Sequence, residues 1–281
     1  MFLVTGATGT AGSEVAKALE RGGAKVLQAT RAQSHGPSER RFDYADPSTW
    51  RPAFQGVEAV FLMLPPGLPQ ARARFRELLE KARAARVERV TFLSIRNADR
   101  LAFLPHRGIE KEIEASGLGW THVRPNDWMQ NFATQPLYRG DIAEGELWAP
   151  NGRSRTSYVD VRDVAEVVAR TLRGGHDGRA IALTGPADLG LKEVAAIFSE
   201  VLQHRVVNRR PSLPRFIGHA LRRGVPPPLA AVMTSIGLVA RFGLASGVDR
   251  GVEEVTGRVP TDFARFVADH RAAWKASLQG R

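Results

Sequence analysis

Residues 1–12 read Met1-Phe2-Leu3-Val4-Thr5-Gly6-Ala7-Thr8-Gly9-Thr10-Ala11-Gly12, and the chain runs on directly into Ser13-Glu14-Val15-Ala16-Lys17-Ala18-Leu19. The apolar run Phe2-Leu3-Val4 reads as a short buried strand, and Val15, Ala18 and Leu19 recur at helical spacing just beyond it. Three glycines at a three-residue interval occupy the hinge between the two. Without a Cβ, such a hinge turns tightly and lets a ligand approach the backbone. The helix that follows offers unpaired N–H groups and the positive end of its dipole, which suit a pyrophosphate. The spacing is Gly-x-x-Gly-x-x-Gly rather than Gly-x-Gly-x-x-Gly. Glycines also simply end strands, so it is the strand–turn–helix context that points to a nucleotide. Gly6, Thr8, Gly9, Thr10 and Gly12 are the expected cofactor-binding residues of this turn.

Beyond the turn, apolar runs at Lys25–Thr30, Ala59–Leu64, Arg89–Ile95 and Trp120–Val123 alternate with helix-like runs at Arg72–Ala85 and Gly108–Ala115. Alternation of this kind argues for an α/β fold, a doubly wound parallel sheet with helices on both faces. The pattern changes at Pro136. Asp141–Trp148 and Thr156–Val159 read as short strands, Arg162–Leu172 as a helix, and a Pro-rich, Gly-punctuated region includes helices at Leu229–Phe242 and Phe263–Ala276. The expected organisation is a nucleotide-binding domain over residues 1–135. Residues 136–281 then complete the fold and form a smaller, mostly helical substrate-binding lobe.

The 281 residues, 43% of them hydrophobic, suffice for one large or two modest domains. There is no cysteine, so disulfide and thiolate chemistry are excluded, which fits a cytoplasmic protein. No run is long and apolar enough to span a membrane, and a strand starting at residue 2 leaves no room for a signal peptide. The seven histidines are scattered, and no metal site is expected from their spacing. The formal charge of +11 comes from 34 arginines and only 6 lysines, against 29 acidic residues. The arginines are spread along the chain without interleaved aromatics, which argues against nucleic-acid binding and favours small anionic ligands.

Ligands of open α/β sheets bind outside the carboxyl ends of the strands, so the strand ends are the informative places. Arg31 follows the second strand, and no Asp or Glu occurs from Val26 to Pro37. An acid there would bind a ribose 2′-hydroxyl, whereas an arginine suits a 2′-phosphate, so NADP(H) is expected over NAD(H). Asp43 is placed to bond an adenine amino group, although the Asp46-Pro47 pair beside it also reads as a helix cap. Leu64 and Pro65 begin an apolar loop suited to lie against a dinucleotide, or simply to make a turn.

Val4-Thr5-Gly6-Ala7-Thr8-Gly9-x-x-Gly12 resembles the atypical short-chain dehydrogenase/reductases of the NmrA-like type. So do Glu114-Ala115-Ser116-Gly117-Leu118-Gly119-Trp120-Thr121-His122-Val123-Arg124-Pro125, Trp128-Met129-Gln130-Asn131-Phe132 and Tyr158-Val159-Asp160-Val161-Arg162-Asp163-Val164-Ala165. The resemblance spans nearly the whole chain and implies a Rossmann-type domain. It leaves the chemistry open, since members include NADPH-dependent quinone reductases, reductases of secondary metabolism and NADP-binding redox sensors. Ordinary short-chain reductases carry Tyr-x-x-x-Lys, and none of the three tyrosines here has a lysine four residues on. The resemblance puts His106 at the tyrosine position and Glu110 at the lysine position. Lys111 is no substitute, because five residues along a helix is about 140° away from His106, whereas four is about 40°.

His106 is therefore either a proton donor, with its pKa raised by a carboxylate one turn away, or a pocket-lining residue in a loop begun by Leu104-Pro105. Ser94, at the end of the fifth strand, is expected to touch both cofactor and substrate. The resemblance places Pro125 beside the cofactor and Trp128, Met129, Asn131 and Phe132 beside the substrate; ordinary core packing accounts for the same four side chains. The expected activity is NADPH-dependent reduction of a flat conjugated carbonyl compound, such as a quinone or an aromatic intermediate. A non-catalytic NADP-binding sensor and a redox-neutral coupling enzyme are the alternatives, and homo-oligomerisation is left open.

Overall fold

The computed structural model describes residues 1–32, 36–101 and 104–275. By its contacts the chain divides into two compact units. The first comprises Met1–Pro125, Val161–Leu183 and Arg250–Arg258; the second comprises Asn126–Asp160, Thr184–Asp249 and the chain from Val259 onward. This differs from the single cut expected after residue 135, because the helix and strand at 161–183 return to complete the sheet of the first unit.

In the first unit, β1 (Phe2–Val4), β2 (Val26–Thr30), β3 (Glu39–Arg41), β4 (Ala59–Met63), β5 (Arg89–Leu93), β6 (Gly119–Pro125) and β9 (Arg179–Leu183) form one sheet. All its pairings are parallel, in the order β3-β2-β1-β4-β5-β6-β9. The order reverses direction between β1 and β4, the switch point at which such sheets open a ligand crevice. The inner strands β1 and β4 read as unbroken apolar runs because both faces are covered, while the edge strand β3 is Glu39-Arg40-Arg41. On one face Leu3, Val60, Leu62 and Phe92 pack against Phe75 and Leu78 of α3 (Ala71–Ala84) and Ile109 of α4 (Pro105–Glu114). Helices α1 (Thr10–Arg21) and α7 (Val161–Leu172) pack against each other and the sheet. A short α2 (Trp50–Ala53) and α11 (Gly251–Thr256) complete this unit. It is the Rossmann-type α/β arrangement that the alternation of runs anticipates.

In the second unit, Asn131–Thr134 (α5) and Pro136–Ala143 (α6) lead into β7 (Glu146–Leu147) and β8 (Arg155–Thr156). There follow β10 (Leu189–Gly190), α8 (Leu191–Leu202), β11 (Val207–Asn208), α9 (Leu213–Arg222), α10 (Pro227–Arg241), α12 (Phe263–Asp269) and α13 (Ala272–Lys275). The strand expected over Asp141–Trp148 begins as the last turn of a helix and keeps only two strand residues. Pro136 opens α6 at a position where its missing N–H costs nothing. The buried Leu137, Asp141 and Ile142 then follow helical spacing, and Gly145 turns the chain at φ +82° before the two residues of β7. The strand expected over Thr156–Val159 is reduced to Arg155–Thr156 and a single bridge from Val159 to Trp128. The final helix expected over Phe263–Ala276 breaks between Asp269 and Ala272, and Ala276 lies outside the described residues. The core here is aromatic, with Phe132, Tyr158, Phe198, Phe263 and Trp274 packed edge to face. Among the described residues no helix is long and apolar enough to cross a membrane.

Candidate functional site

The three opening glycines are required for three different reasons. Gly6 adopts φ +63°, and a Cβ on it would press on the Met63 sulfur. A Cβ on Gly12 would collide with the backbone of Gly6 and Ala7, so Gly12 is needed for helix and turn to pack at all. Gly9 is unlike both. Its backbone is extended (φ −91°, ψ 171°), open to any residue, and a Cβ would meet only the Gly6 carbonyl oxygen at 3.3 Å. Nothing in the protein itself demands a glycine there. Gly9 is also the N-cap of α1, with no side-chain cap and no acid in the first turn. The helix end is thus left for an anion to satisfy, and the space a Gly9 side chain would take suits a pyrophosphate.

A cleft of about 590 Å³ opens beside this turn, lined among others by Gly6, Thr8, Arg31, Asp43, Tyr44 and Pro65. Five expected cofactor residues therefore share one cleft, while Gly9 and Thr10 are exposed and do not line it. Arg31 is exposed and, among the described residues, has no carboxylate partner, whereas the neighbouring Arg41 is paired with Asp46. Asp43, which lines the cleft, accepts from the Ala45 N–H through Oδ1 and closes a tight turn. Asp46 does cap the 3₁₀ turn at Pro47–Thr49 through the Ser48 N–H, so both readings of this stretch apply to adjacent residues. Leu64 packs on the core cluster and does not line the cleft. Tyr44 went unnoticed in the sequence. Its hydroxyl pairs with Thr5 Oγ1 at 2.9 Å and accepts from the Met63 N–H, tying together the ends of β1 and β4. Burial pushes its pKa above the ordinary tyrosine range, which suits a fixed strut and not a proton donor. Changing Arg31 to Ala should weaken NADPH about tenfold to a hundredfold, the loss of one or two charge-assisted bonds, and leave NADH unchanged. Calorimetry with both cofactors checks this, and equal losses would remove the 2′-phosphate assignment.

A second group of polar residues lies where β5, β6 and α4 meet. Ser94, 2% exposed, follows the last residue of β5, and its Oγ faces the Glu110 carboxylate. His106 stands in the first turn of α4, which begins at Pro105, three residues earlier than expected. Proline at that position starts the helix, so His106 is held on a helix and not in a loop. Its Nδ1 is buried and, among the described residues, without a partner. The carboxylate one turn on does not raise the His106 pKa as expected: burial lowers it below the usual value and outweighs the charge of Glu110. Glu110 is fully buried and already engaged. Arg124 grips it with two bonds, Nε to Oε1 at 2.8 Å and Nη2 to Oε2 at 2.7 Å, and Arg107 adds a third at 3.0 Å. Burial raises the carboxyl pKa, but the Arg124 bonds and the facing Ser94 hydroxyl more than offset it and bring it to about 2.

A carboxylate depressed from 4.5 to about 2 contributes stability that is present above pH 4.5 and is lost as pH falls through 2. Glu110→Gln should therefore lower stability at neutral pH and flatten its pH dependence across that window. Urea melts at stepped pH values check this, and an unchanged acid limb would show that Glu110 is not the group responsible. Glu114 and His122 join the same cluster, with a contact of 3.3 Å between His122 Nε2 and Glu114 Oε1. Among the described residues Glu110, Glu114 and His122 converge within 4.8 Å, a grouping that spacing along the chain does not reveal. Both carboxylates are taken by Arg107 and Arg124, and His122 lies stacked beneath Trp120. The donors are spent on arginines, and the cluster does not suit a metal.

The stretch after β6 divides by role. Pro125 ends the strand, and its carbonyl accepts from the Arg96 N–H. Met129 and Phe132 are 1% and 3% exposed within the aromatic core, so core packing accounts for them. Trp128 is half-buried. Asn131 donates its amide to Asp127 Oδ1 at 2.8 Å. Asp127, not singled out in the sequence, also accepts from the Trp128 N–H; burial pushes its pKa up to about 6, against these two bonds.

A parallel sheet that reverses order at β1/β4, with an uncapped glycine turn and a cleft at that point, defines the Rossmann-type class. Residues 1–263 match the NmrA-like family, and the chain belongs to it. It is 32% identical to an NAD(P)H azoreductase of Xenophilus azovorans, over 99% of this chain and 100% of that one. It is 26% identical to quinone oxidoreductase 2 of Escherichia coli, over 95% and 98%. The solved structure of Citrobacter sp. triphenylmethane reductase complexed with NADP(H) superposes with a TM-score of 0.86 at 21% identity, covering 96% of this chain and 99% of that one.

Proposed function

We propose that this protein is an NADPH-dependent oxidoreductase acting on a flat conjugated substrate, a quinone or a related aromatic carbonyl compound. Two relatives named for NAD(P)H-dependent azo reduction and for quinone oxidoreduction support the class. The cofactor reading rests on the fit of the first unit: the α1 N-terminus at Gly9 that no side chain caps, and a cleft lined by Gly6, Thr8 and Arg31, the last without a carboxylate partner among the described residues. NADPH, when bound, supplies the hydride. Catalysis needs more than binding, and one observation carries it. His106 Nδ1, in the first turn of α4, is a buried polar atom without a partner among the described residues, and Ser94 Oγ, at the end of β5, is buried facing the Glu110 carboxylate. Orphaned buried polar groups are costly, and they persist where a ligand completes their bonding. In this reading Ser94 orients the substrate oxygen and His106 holds the proton. Glu110, clamped by two arginines, keeps α4 and β6 in register and stays ionised. The test is NADPH oxidation followed at its absorbance band against quinones, enones and imines. Turnover supports the reading; tight NADPH binding without turnover on any of them points to a non-catalytic sensor.

A further inference from the structure

We propose that the second unit carries an anion site of its own, a recess suited to the phosphate group of a small molecule. It lies between the loop before β8, the start of α8 and the segment after β11, and encloses about 430 Å³, within the range of small-ligand pockets. Its lining brings together four cations, Arg153, Arg155, Lys192 and Arg210, with Glu193 as the only acid.

That acid is already neutralised. Arg155 pairs with Glu193 at 3.0 Å and donates to the Asp188 carbonyl. Glu193 in turn accepts from the Gly190 N–H at 2.6 Å, capping α8. The antiparallel pairing of Arg155 with Gly190 sets this pair beside the start of α8, where the Asp188 carboxylate also lies 4.0 Å from Arg155. Arg153, Lys192 and Arg210 are left exposed and, among the described residues, without a carboxylate partner. Elsewhere many arginines are matched, as Arg72 and Arg76 are on Glu112, Arg89 on Asp177 and Arg223 on Glu144. Three unmatched cations around one concavity repel one another, and a bound polyanion would relieve that repulsion. Guanidinium forks and a lysine point charge are the side chains that hold phosphoryl oxygens, and the N-terminal end of α8 adds its dipole. A recess of this size suits a phosphorylated small molecule.

The probe is inorganic pyrophosphate, titrated by calorimetry at low ionic strength into the full chain, since exposed charges are screened by salt. Three proteins are compared: the unaltered chain, Lys192→Ala/Arg210→Ala, and Gly9→Val, in which the cleft of the first unit is obstructed. Pyrophosphate should bind Gly9→Val at one site, and should bind the unaltered chain at that same site with the same affinity beside any bound at the α1 turn. Lys192→Ala/Arg210→Ala should weaken binding at that site on the order of 10²-fold, about tenfold for each charge-assisted contact, with NADPH affinity and melting temperature unchanged. Complete loss of binding in Gly9→Val, or a double variant that keeps every site of the unaltered chain at equal affinity, would each overturn the proposal. The first result would place the pyrophosphate in the first unit's cleft alone.

Discussion

Gly9→Val is expected to abolish binding of NADPH and NADH alike while leaving the chain folded. Its backbone lies in the extended region, where valine is at ease, and the nearest atom to a new Cβ is a single carbonyl oxygen at 3.3 Å. The fold has little reason to object. What the branched side chain fills is the space in front of the α1 N-terminus, whose amides no side chain caps. Gly12→Val is the matched control and should behave oppositely. Its Cβ would drive into the backbone of the turn, so that variant should be strongly destabilised whether or not a ligand is present. Thermal melts and calorimetry of the two variants together read the difference. A folded Gly9→Val that keeps its cofactor affinity would mean the turn is not a pyrophosphate cradle.

His106→Ala is expected to cost on the order of 10²–10⁴ in turnover if His106 delivers the proton, with cofactor affinity changed by no more than a few fold. Burial lowers the pKa of His106 below 6.5, so the imidazole is mostly neutral at pH 7. As the acid in its protonated form, it should make turnover rise as pH falls towards that depressed value, and the alanine variant should lose this rise. Single-turnover rates of both proteins across pH show it. A variant that keeps rate and profile would leave solvent as the proton source. His106→Gln separates the two tasks: it retains a hydrogen bond but no titrating proton. Recovery of rate by glutamine would therefore assign His106 to orientation and not to proton transfer.

The fold and the cofactor end of the site were legible because both are local. A strand, a glycine turn and a helix are contiguous in residues 1–21. The other strand ends lie immediately after apolar runs, so Arg31 and Asp43 were found by position alone. The polar network was not legible. Arg124 and Glu110 are fourteen residues apart on a strand and a helix, and no spacing rule pairs them. Reading Glu110 as a free carboxylate that raises the His106 pKa failed because the arginine that occupies it was out of view. The same blindness applied to Met129 and Phe132, where a core side chain and a pocket wall have the same chemistry and only burial tells them apart.

What the sequence by itself determined is the parallel α/β scaffold and which strand-end residues gather at one cleft. Periodicity and glycine spacing report the local backbone directly, and the inner strands of such a sheet are apolar on both faces. What only the tertiary structure decided is which polar groups are taken and which are left. Among the described residues, Glu110 is spent on Arg124 and Arg107, His106 Nδ1 has no partner, and Arg153, Lys192 and Arg210 share a recess without a carboxylate to match them. Desolvation and pairing depend on distances in space between residues far apart in the chain, and those distances exist only once the chain has folded.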